Sequence, residues 1–275
     1  YEIGMDPLEF RRKNLIHGYY EDAYLKPIAA NTNGIFECLE KGAEYIHWDE
    51  KRKAYQNQTG DIRRGVGMAL FSYKTGVWPI SLEIAGARLS LNQDGSVQLQ
   101  VGATEIGQGA DTVFSQMAAE TLHMDISRVH IVTQQDTDVT PFDTGAYASR
   151  QSFVTGTAVK ECAQQLKQKI LEYARTLVPG NVDRLELEDG YILADGKPAI
   201  SLEDLAMESY YSLSNSSVLT AEVSRQVKKN TVASGCCFAE VEVDMKLGKI
   251  KVLDIVNVHD SGTLLNPQLA AMQVH

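Results

Sequence analysis

The sequence has few cysteines, and Cys38, Cys162, Cys236 and Cys237 show no C-x-x-C spacing. Structural zinc and a disulfide framework are both disfavoured, because the adjacent pair would have to close a strained vicinal bridge. A four-cysteine motif for an iron–sulfur cluster is absent as well. Basic runs are short, with Arg11-Arg12-Lys13 and Lys228-Lys229 the most marked in a chain of formal net charge −10 and pI near 5.1. A protein of that sign repels a phosphate backbone, so nucleic acid is not an expected partner. Charges break every apolar stretch well before the roughly 18 residues that a membrane helix requires. The start carries no signal-peptide pattern. No membrane partner is expected, and the cytoplasm is the default location. The chain opens at Tyr1 without Met and stops at His275 just after a helical start, which reads as an excised fragment.

What is present suits a folded protein. The 275 residues are 44% hydrophobic and 23% charged, enough for one large domain or two smaller ones with a real core. Asp6-Pro7-Leu8-Glu9 supplies a cap, a proline for the first helical position and an acid three residues after the cap, predicting a helix from Pro7 to Ile16. A second helix is expected from Gly34 to Tyr45. The polar stretch from Asp49 to Arg64 shows no clear periodicity, and a domain boundary is placed there.

Beyond it, Ala87, Leu89 and Leu91 alternate into a turn at Asn92-Gln93-Asp94-Gly95, and Val97, Leu99 and Val101 alternate out of it. That pattern is a β-hairpin with one buried face. Val113, Phe114, Met117, Ala118, Thr121 and Leu122 follow helical spacing, and Val129 to Thr133 reads as a strand. The clearest helix runs from Thr155 to Leu177, stopped by Pro179-Gly180. A hairpin around Asp189-Gly190 follows, then a helix capped by Ser201. Val241, Val243 and Met245 alternate into a turn at Leu247-Gly248, from which Ile250 and Val252 return. The expected fold class is α+β, hairpins and mixed sheets packed with helices.

Two loops stand between a strand-like segment and a helix start. In Gly102 to Thr112, Gly107 and Gly109 permit positive φ and close backbone approach, and the following helix would offer free N–H groups to an anion. Gln108 between them brings one acceptor and two donors. The loop lacks the third glycine of a dinucleotide fingerprint and the Lys-Ser/Thr of a P-loop, which disfavours ordinary nucleotides. The second loop, Thr144 to Ser152, has small residues, hydroxyls and Arg150, a second candidate anion site. An N-cap serine beside a solvated arginine is its plainer reading.

With Val258-His259-Asp260-Ser261-Gly262 running on to Asn266-Pro267, the motifs E-I-G-Q-G, A-S-R-Q-S and D-S-G-x-x-x-N-P resemble, in order and interval, the large subunit of the molybdenum hydroxylases. This is the xanthine dehydrogenase and aldehyde oxidase family. Gly4 to Asn14 resembles the G-x-D-P-x-E-x-R-x-x-N helix of the same family, so the likeness covers nearly the whole chain and is strongest to bacterial xanthine dehydrogenases.

The resemblance implies that residues 1–63 end the first molybdopterin-binding domain and 64–275 form part of the second. It implies that Ile106, Gly107, Gln108 and Gly109 lie along the pterin and the metal's oxo side, with Ala146, Tyr147, Ala148, Ser149, Arg150 and Gln151 around the pterin and phosphate. Gln273 matches a further cofactor-contacting glutamine, although Met272 departs from the glycine common before it. Lys74 to Pro79 matches a segment facing the substrate funnel, so Val77 and Trp78 are substrate candidates. A core role for Trp78 competes with stacking on a purine.

The implied cofactor is molybdopterin in a dinucleotide form, and no protein side chain here is expected to bind metal. The implied chemistry is hydroxylation of an electron-poor carbon with water as the oxygen source. Its glutamate base belongs to a motif beyond this chain, and Glu105 is read instead as a solvated or turn-bonding carboxylate. His259-Asp260 is read as a strand-end turn, and the Tyr210-Tyr211 and Cys236-Cys237 pairs as core or surface. The implied partners are iron–sulfur and FAD subunits or domains, in an oligomeric enzyme of purine catabolism. The isolated fragment is expected to be inactive. Alternatives are an aldehyde or carbon monoxide oxidising relative and a noncatalytic scaffold, the latter disfavoured by Gln108 and A-S-R-Q-S.

Overall fold

A computed structural model describes residues 3–15, 20–21, 27–28 and 34–274. Contacts divide the chain into two compact units, residues 1–75 with 230–275, and residues 76–229. The expected division at 63/64 is one of family domains, a different criterion from contact.

In the first unit, helix α1 (Pro7–Asn14) begins at the cap expected for it, with Asp6 accepting a hydrogen bond from the Leu8 amide at 2.8 Å. It ends at Asn14; Ile16 lies outside the described residues. Strands β1 (Tyr20–Glu21) and β2 (Pro27–Ile28) pair antiparallel. Helix α2 (Ile35–Tyr45) buries Cys38, Leu39 and Ala43 on one face. The stretch expected to be irregular instead forms helix α3 (Trp48–Ala54) and opens strand β3 (Ile62–Thr75). Both escape a periodicity test for physical reasons. The short α3 has one buried residue, Trp48, and Gly65 and Gly67 interrupt the alternation of β3.

The second unit carries the expected hairpin, β4 (Ile84–Leu91) and β5 (Val97–Val101), with Leu89 opposite Leu99. Helix α4 (Ala110–Leu122) leads to β6 (Val129–Ile131), which lies parallel to β5. Helix α5 (Gln151–Leu177) starts at Gln151 rather than Thr155, because its first turn buries the polar Gln151 and Thr155, which an apolar repeat cannot reveal. Strands β7 (Leu185–Glu188), β8 (Tyr191–Ala194) and β9 (Lys197–Ser201) form a small antiparallel sheet. Ser201 then caps α6 (Leu202–Tyr211), accepting from the Asp204 amide at 3.0 Å. Strand β10 (Thr220–Gln226) completes the order β10-β4-β5-β6. Leu89, Leu91 and Leu99 of this sheet pack in one core with Phe114 of α4 and Val159, Cys162, Leu166 and Ile170 of α5. Each of these Leu, Ile, Val and Phe side chains contributes roughly 1.5–3 kcal/mol by leaving water.

Back in the first unit, β11 (Thr231–Asp244) lies between β3 and β12 (Lys249–Asp260), and α7 (Pro267–Met272) follows. Phe238 of β11 meets Trp48 edge-on at 5.7 Å, and a Cβ on Gly42 of α2 would enter the Phe238 ring. Glu240 of β11 accepts from Lys51 Nζ at 2.7 Å and Tyr55 Oη at 2.5 Å; the hydrogen bond from Lys51, then that from Tyr55, hold its carboxyl below the usual range. All four thiols are free, with Cys38, Cys162 and Cys236 buried and Cys237 half-buried. Burial pushes Cys162 up to about 11 and Cys236 up to about 12.

Gly102, at the end of β5, lets residues 141–143 cross against the sheet. A Cβ there would strike the Pro141 carbonyl oxygen and come within 2.7 Å of the Asp143 amide nitrogen. Gly102→Ala should therefore destabilise by about 1–3 kcal/mol in denaturant unfolding. Gly67→Ala, whose Cβ meets nothing within 4 Å, should stay within about 0.5 kcal/mol.

Candidate functional site

The first loop folds its polar side chains onto its own backbone. Glu105 accepts from the amides of Gly107 at 2.7 Å, Gly109 at 3.1 Å and Asp111 at 3.0 Å. The N-terminus of α4, expected to be open to an anion, thus already holds a carboxylate from its own loop. Burial by itself would raise the Glu105 pKa, but the amides of Asp111, Gly109 and Gly107 outweigh it and hold the carboxyl below its usual value. Gly107 at φ +100 and Gly109 at φ +82 have the left-handed backbone the loop requires.

The Gln108 side chain is likewise turned inward. Its oxygen accepts from the Ile106 amide at 2.7 Å, while Nε2 donates to the Thr104 carbonyl at 3.0 Å and to Gln151 Oε1 at 2.6 Å. Gln151 is buried at the first turn of α5 and donates back to the same Thr104 carbonyl at 3.3 Å. The two loops singled out in the sequence are therefore joined by a direct amide–amide bond.

Arg150 differs most from expectation. It is fully buried rather than solvated. Nε donates to Glu83 Oε2 at 2.6 Å, Nη1 to Asp143 Oδ1 at 2.5 Å and to the Gly145 carbonyl at 3.0 Å, and Nη2 to the Ile84 carbonyl at 2.7 Å. The guanidinium also lies 5.4 Å from the Tyr147 ring centroid. Burial opposes the charge, but the hydrogen bond to Glu83 and the pull of Asp143 outweigh it and raise the Arg150 pKa. Its side chain is engaged within the protein, which corrects the expectation of a guanidinium aimed at a phosphate. Glu83 and Asp143 were not anticipated as site residues. The available signal was a charge flanked by Leu82 and Ile84 in an apolar run.

Around this buried centre the outer surfaces of the loops are open. Ile106, Ala146, Tyr147 and Ser149 are exposed, and a Cβ on Gly107 would meet nothing within 4 Å. Ala148 and Ser149 both take left-handed backbone, at φ +47 and +52. Small residues and accessible backbone of this kind fit a large, polar organic ligand gripped by main chain. Val77 and the half-buried Trp78 stand in a turn in which the Val77 carbonyl accepts from Ile80 N at 2.8 Å, and Gly76 N donates to the Ala148 carbonyl at 2.8 Å.

Gln273 belongs to the other compact unit, exposed at the end of α7. There too, His259 packs on Phe71 at 5.2 Å while Asp260 accepts from Gly262 N at 3.1 Å, so the adjacent pair has separate structural partners. Tyr210 donates to the Leu91 carbonyl at 2.9 Å. Among the described residues no group of His, Cys, Asp and Glu is arranged to hold a metal ion, and no helix is long and apolar enough to cross a membrane.

Because the folded pKa of Glu105 lies below its ordinary 4.5, its stabilisation is complete above that pH and is lost as pH falls through the folded value. Glu105→Gln should cost about 0.5–2 kcal/mol at neutral pH, the range for losing a helix cap, and in unfolding measurements the gap to the parent should begin to narrow below pH 4.5 and close only once the pH has passed the lower, folded value.

A family model described as a molybdopterin cofactor-binding domain matches residues 41–275. The chain is 46% identical over 279 aligned residues to the xanthine dehydrogenase molybdenum-binding subunit of Escherichia coli O157:H7, covering 99% of this chain and 37% of that protein. It is 30% identical over 284 residues to a protein named "Probable hypoxanthine oxidase XdhD" from Escherichia coli strain K12, covering 100% of this chain and 29% of that one. Among solved structures, reconstituted CO dehydrogenase from Oligotropha carboxidovorans superposes with a TM-score of 0.82 at 22% identity, over 99% of this chain and 36% of that one, a likeness of fold. The chain thus spans about a third of the length of the relatives it matches, and it belongs to the molybdopterin cofactor-binding domains of the xanthine dehydrogenase and aldehyde oxidase family.

Proposed function

We propose that this chain forms part of the cofactor cradle of a xanthine dehydrogenase-like enzyme that hydroxylates a purine or related heterocycle. The observation that carries this reading is the Gln108–Gln151 bond, which fixes the two loops side by side. Residues 106–109 and 146–151 would grip molybdopterin, Arg150 through the loop it holds rather than by direct contact. Gln273 is proposed, on the family resemblance alone, as a further cofactor-contacting residue, and Val77 and Trp78 as bordering the substrate.

When bound, the cofactor would supply oxygen transfer from water and take up the substrate's electrons. The chain's own residues bind and orient. The general base is assigned to a part of the parent beyond these residues, as are iron–sulfur and FAD centres on partner subunits or domains. Residues 1–63 are assigned to the end of one family domain and 64–275 to the next, in an oligomeric cytoplasmic enzyme of purine catabolism. The 46% identity to a xanthine dehydrogenase subunit supports the purine class over aldehydes or carbon monoxide.

In the parent enzyme, Gly109→Val would force a branched residue into a backbone at φ +82, and Gln108→Ala would cut the bond to Gln151. Both should lower molybdenum content several-fold, read by metal analysis of purified protein. Normal molybdenum and turnover in both would remove this loop from the cradle. Residues 1–275 expressed alone should fold at least in part and show no turnover of hypoxanthine, xanthine or a simple aldehyde with a dye acceptor. Stoichiometric molybdenum with turnover would place the whole machinery inside this chain.

A further inference from the structure

Arg150 has two buried carboxylate partners where one would balance its charge. Glu83 is 1% exposed and the side chain of Asp143 is fully buried, so two buried carboxyl groups face one guanidinium. Removing a carboxylate from water is costly, so the second one has to be explained by something other than neutralisation. Asp143 has local duties. Oδ1 accepts from the Gly145 amide at 2.8 Å and Oδ2 from Thr155 Oγ1 at 2.7 Å, which pins the start of α5 to its own loop.

Glu83 is different because its two oxygens serve two separate segments. Oε2 takes the Arg150 Nε at 2.6 Å, and Oε1 takes the Val77 amide at 2.5 Å. Two other bonds join the same two segments, one donated each way: Gly76 N to the Ala148 carbonyl at 2.8 Å and Tyr147 Oη to the Leu82 carbonyl at 3.4 Å. We propose that Glu83 is a positioning residue that, through Arg150, locks the segment carrying Val77 and Trp78 to the 146–151 loop.

This inference rests on the reading above, in which the first segment borders the substrate and the second the cofactor. On that reading, Glu83 sets the gap between substrate wall and cofactor while touching neither. A carboxylate suits the task because both oxygens accept and the buried bonds to a guanidinium are short and directional. A glutamine of the same shape has one accepting oxygen and an NH2 group that would face a donor, so one of the two links must open.

The test is made in the full parent enzyme with Glu83→Gln, Asp143→Asn and Trp78→Ala, by backbone hydrogen exchange together with steady-state kinetics on xanthine. Glu83→Gln should speed exchange about tenfold in both 76–82 and 144–150 while the β4–β5 hairpin stays protected. It should also raise KM about fivefold or more with kcat per bound molybdenum within about twofold. Asp143→Asn should loosen 144–150 alone. If Glu83→Gln does not accumulate as folded protein, Glu83→Asp keeps the charge and retracts it by one methylene, and the same two segments are read.

Faster exchange confined to 76–82, or in neither segment, overturns the coupling. Faster exchange in both with KM unchanged, while Trp78→Ala does raise KM, overturns the positioning role. If Trp78→Ala leaves KM unchanged, the substrate reading of that segment fails, and the exchange data still decide the coupling.

Discussion

A single guanidinium organises the second compact unit. Arg150 lies out of water at the entrance to α5, and its donors tie together a carboxylate before β4, a carboxylate in the crossing segment 141–143, the carbonyl of Ile84 at the start of β4 and the carbonyl of Gly145 in the loop. A lysine could not replace it, since a point charge lacks the planar fork that satisfies acceptors in several directions at once. Without it, Glu83 and Asp143 would be uncompensated buried charges, and the 144–150 loop would lose what holds its left-handed residues.

The same principle recurs across the site: a side chain closes on backbone so that the neighbouring main chain has one conformation. Glu105 does this for the turn before α4, and Gln108 and Gln151 do it for the meeting of the two loops. A ligand held mostly by main chain is bound better when that main chain is already ordered, because less conformational freedom is lost on association. The open outer faces and the satisfied inner faces of these loops are complementary halves of one design.

Much of this was legible in the residue order. The hairpin from Ala87 to Val101 announced itself by alternation around an Asn-to-Gly turn, and α5 by its repeat of apolar positions, because both bury one face against a single core. Glu105 could be read as a turn-bonding carboxylate from the glycines after it. Helix α3 and strand β3 were hidden for the opposite reason, a short element with one buried residue and a strand interrupted by glycine. Arg150 was expected in solvent because burial of a charge depends on partners distant in sequence. Glu83 lies 67 residues away from it, and no local pattern encodes that distance.

The free thiols give each compact unit its own internal clock. Cys162 sits in the core of residues 76–229, and Cys38 and Cys236 in that of the other unit. With their acidity suppressed by burial, they are almost entirely protonated at neutral pH and shielded from electrophiles. A thiol reagent can reach them only in the moments when a core opens, so the rate at which each cysteine is alkylated measures the free energy of opening its own unit. The chain thereby carries, without any added label, separate reporters of how independently its two halves breathe.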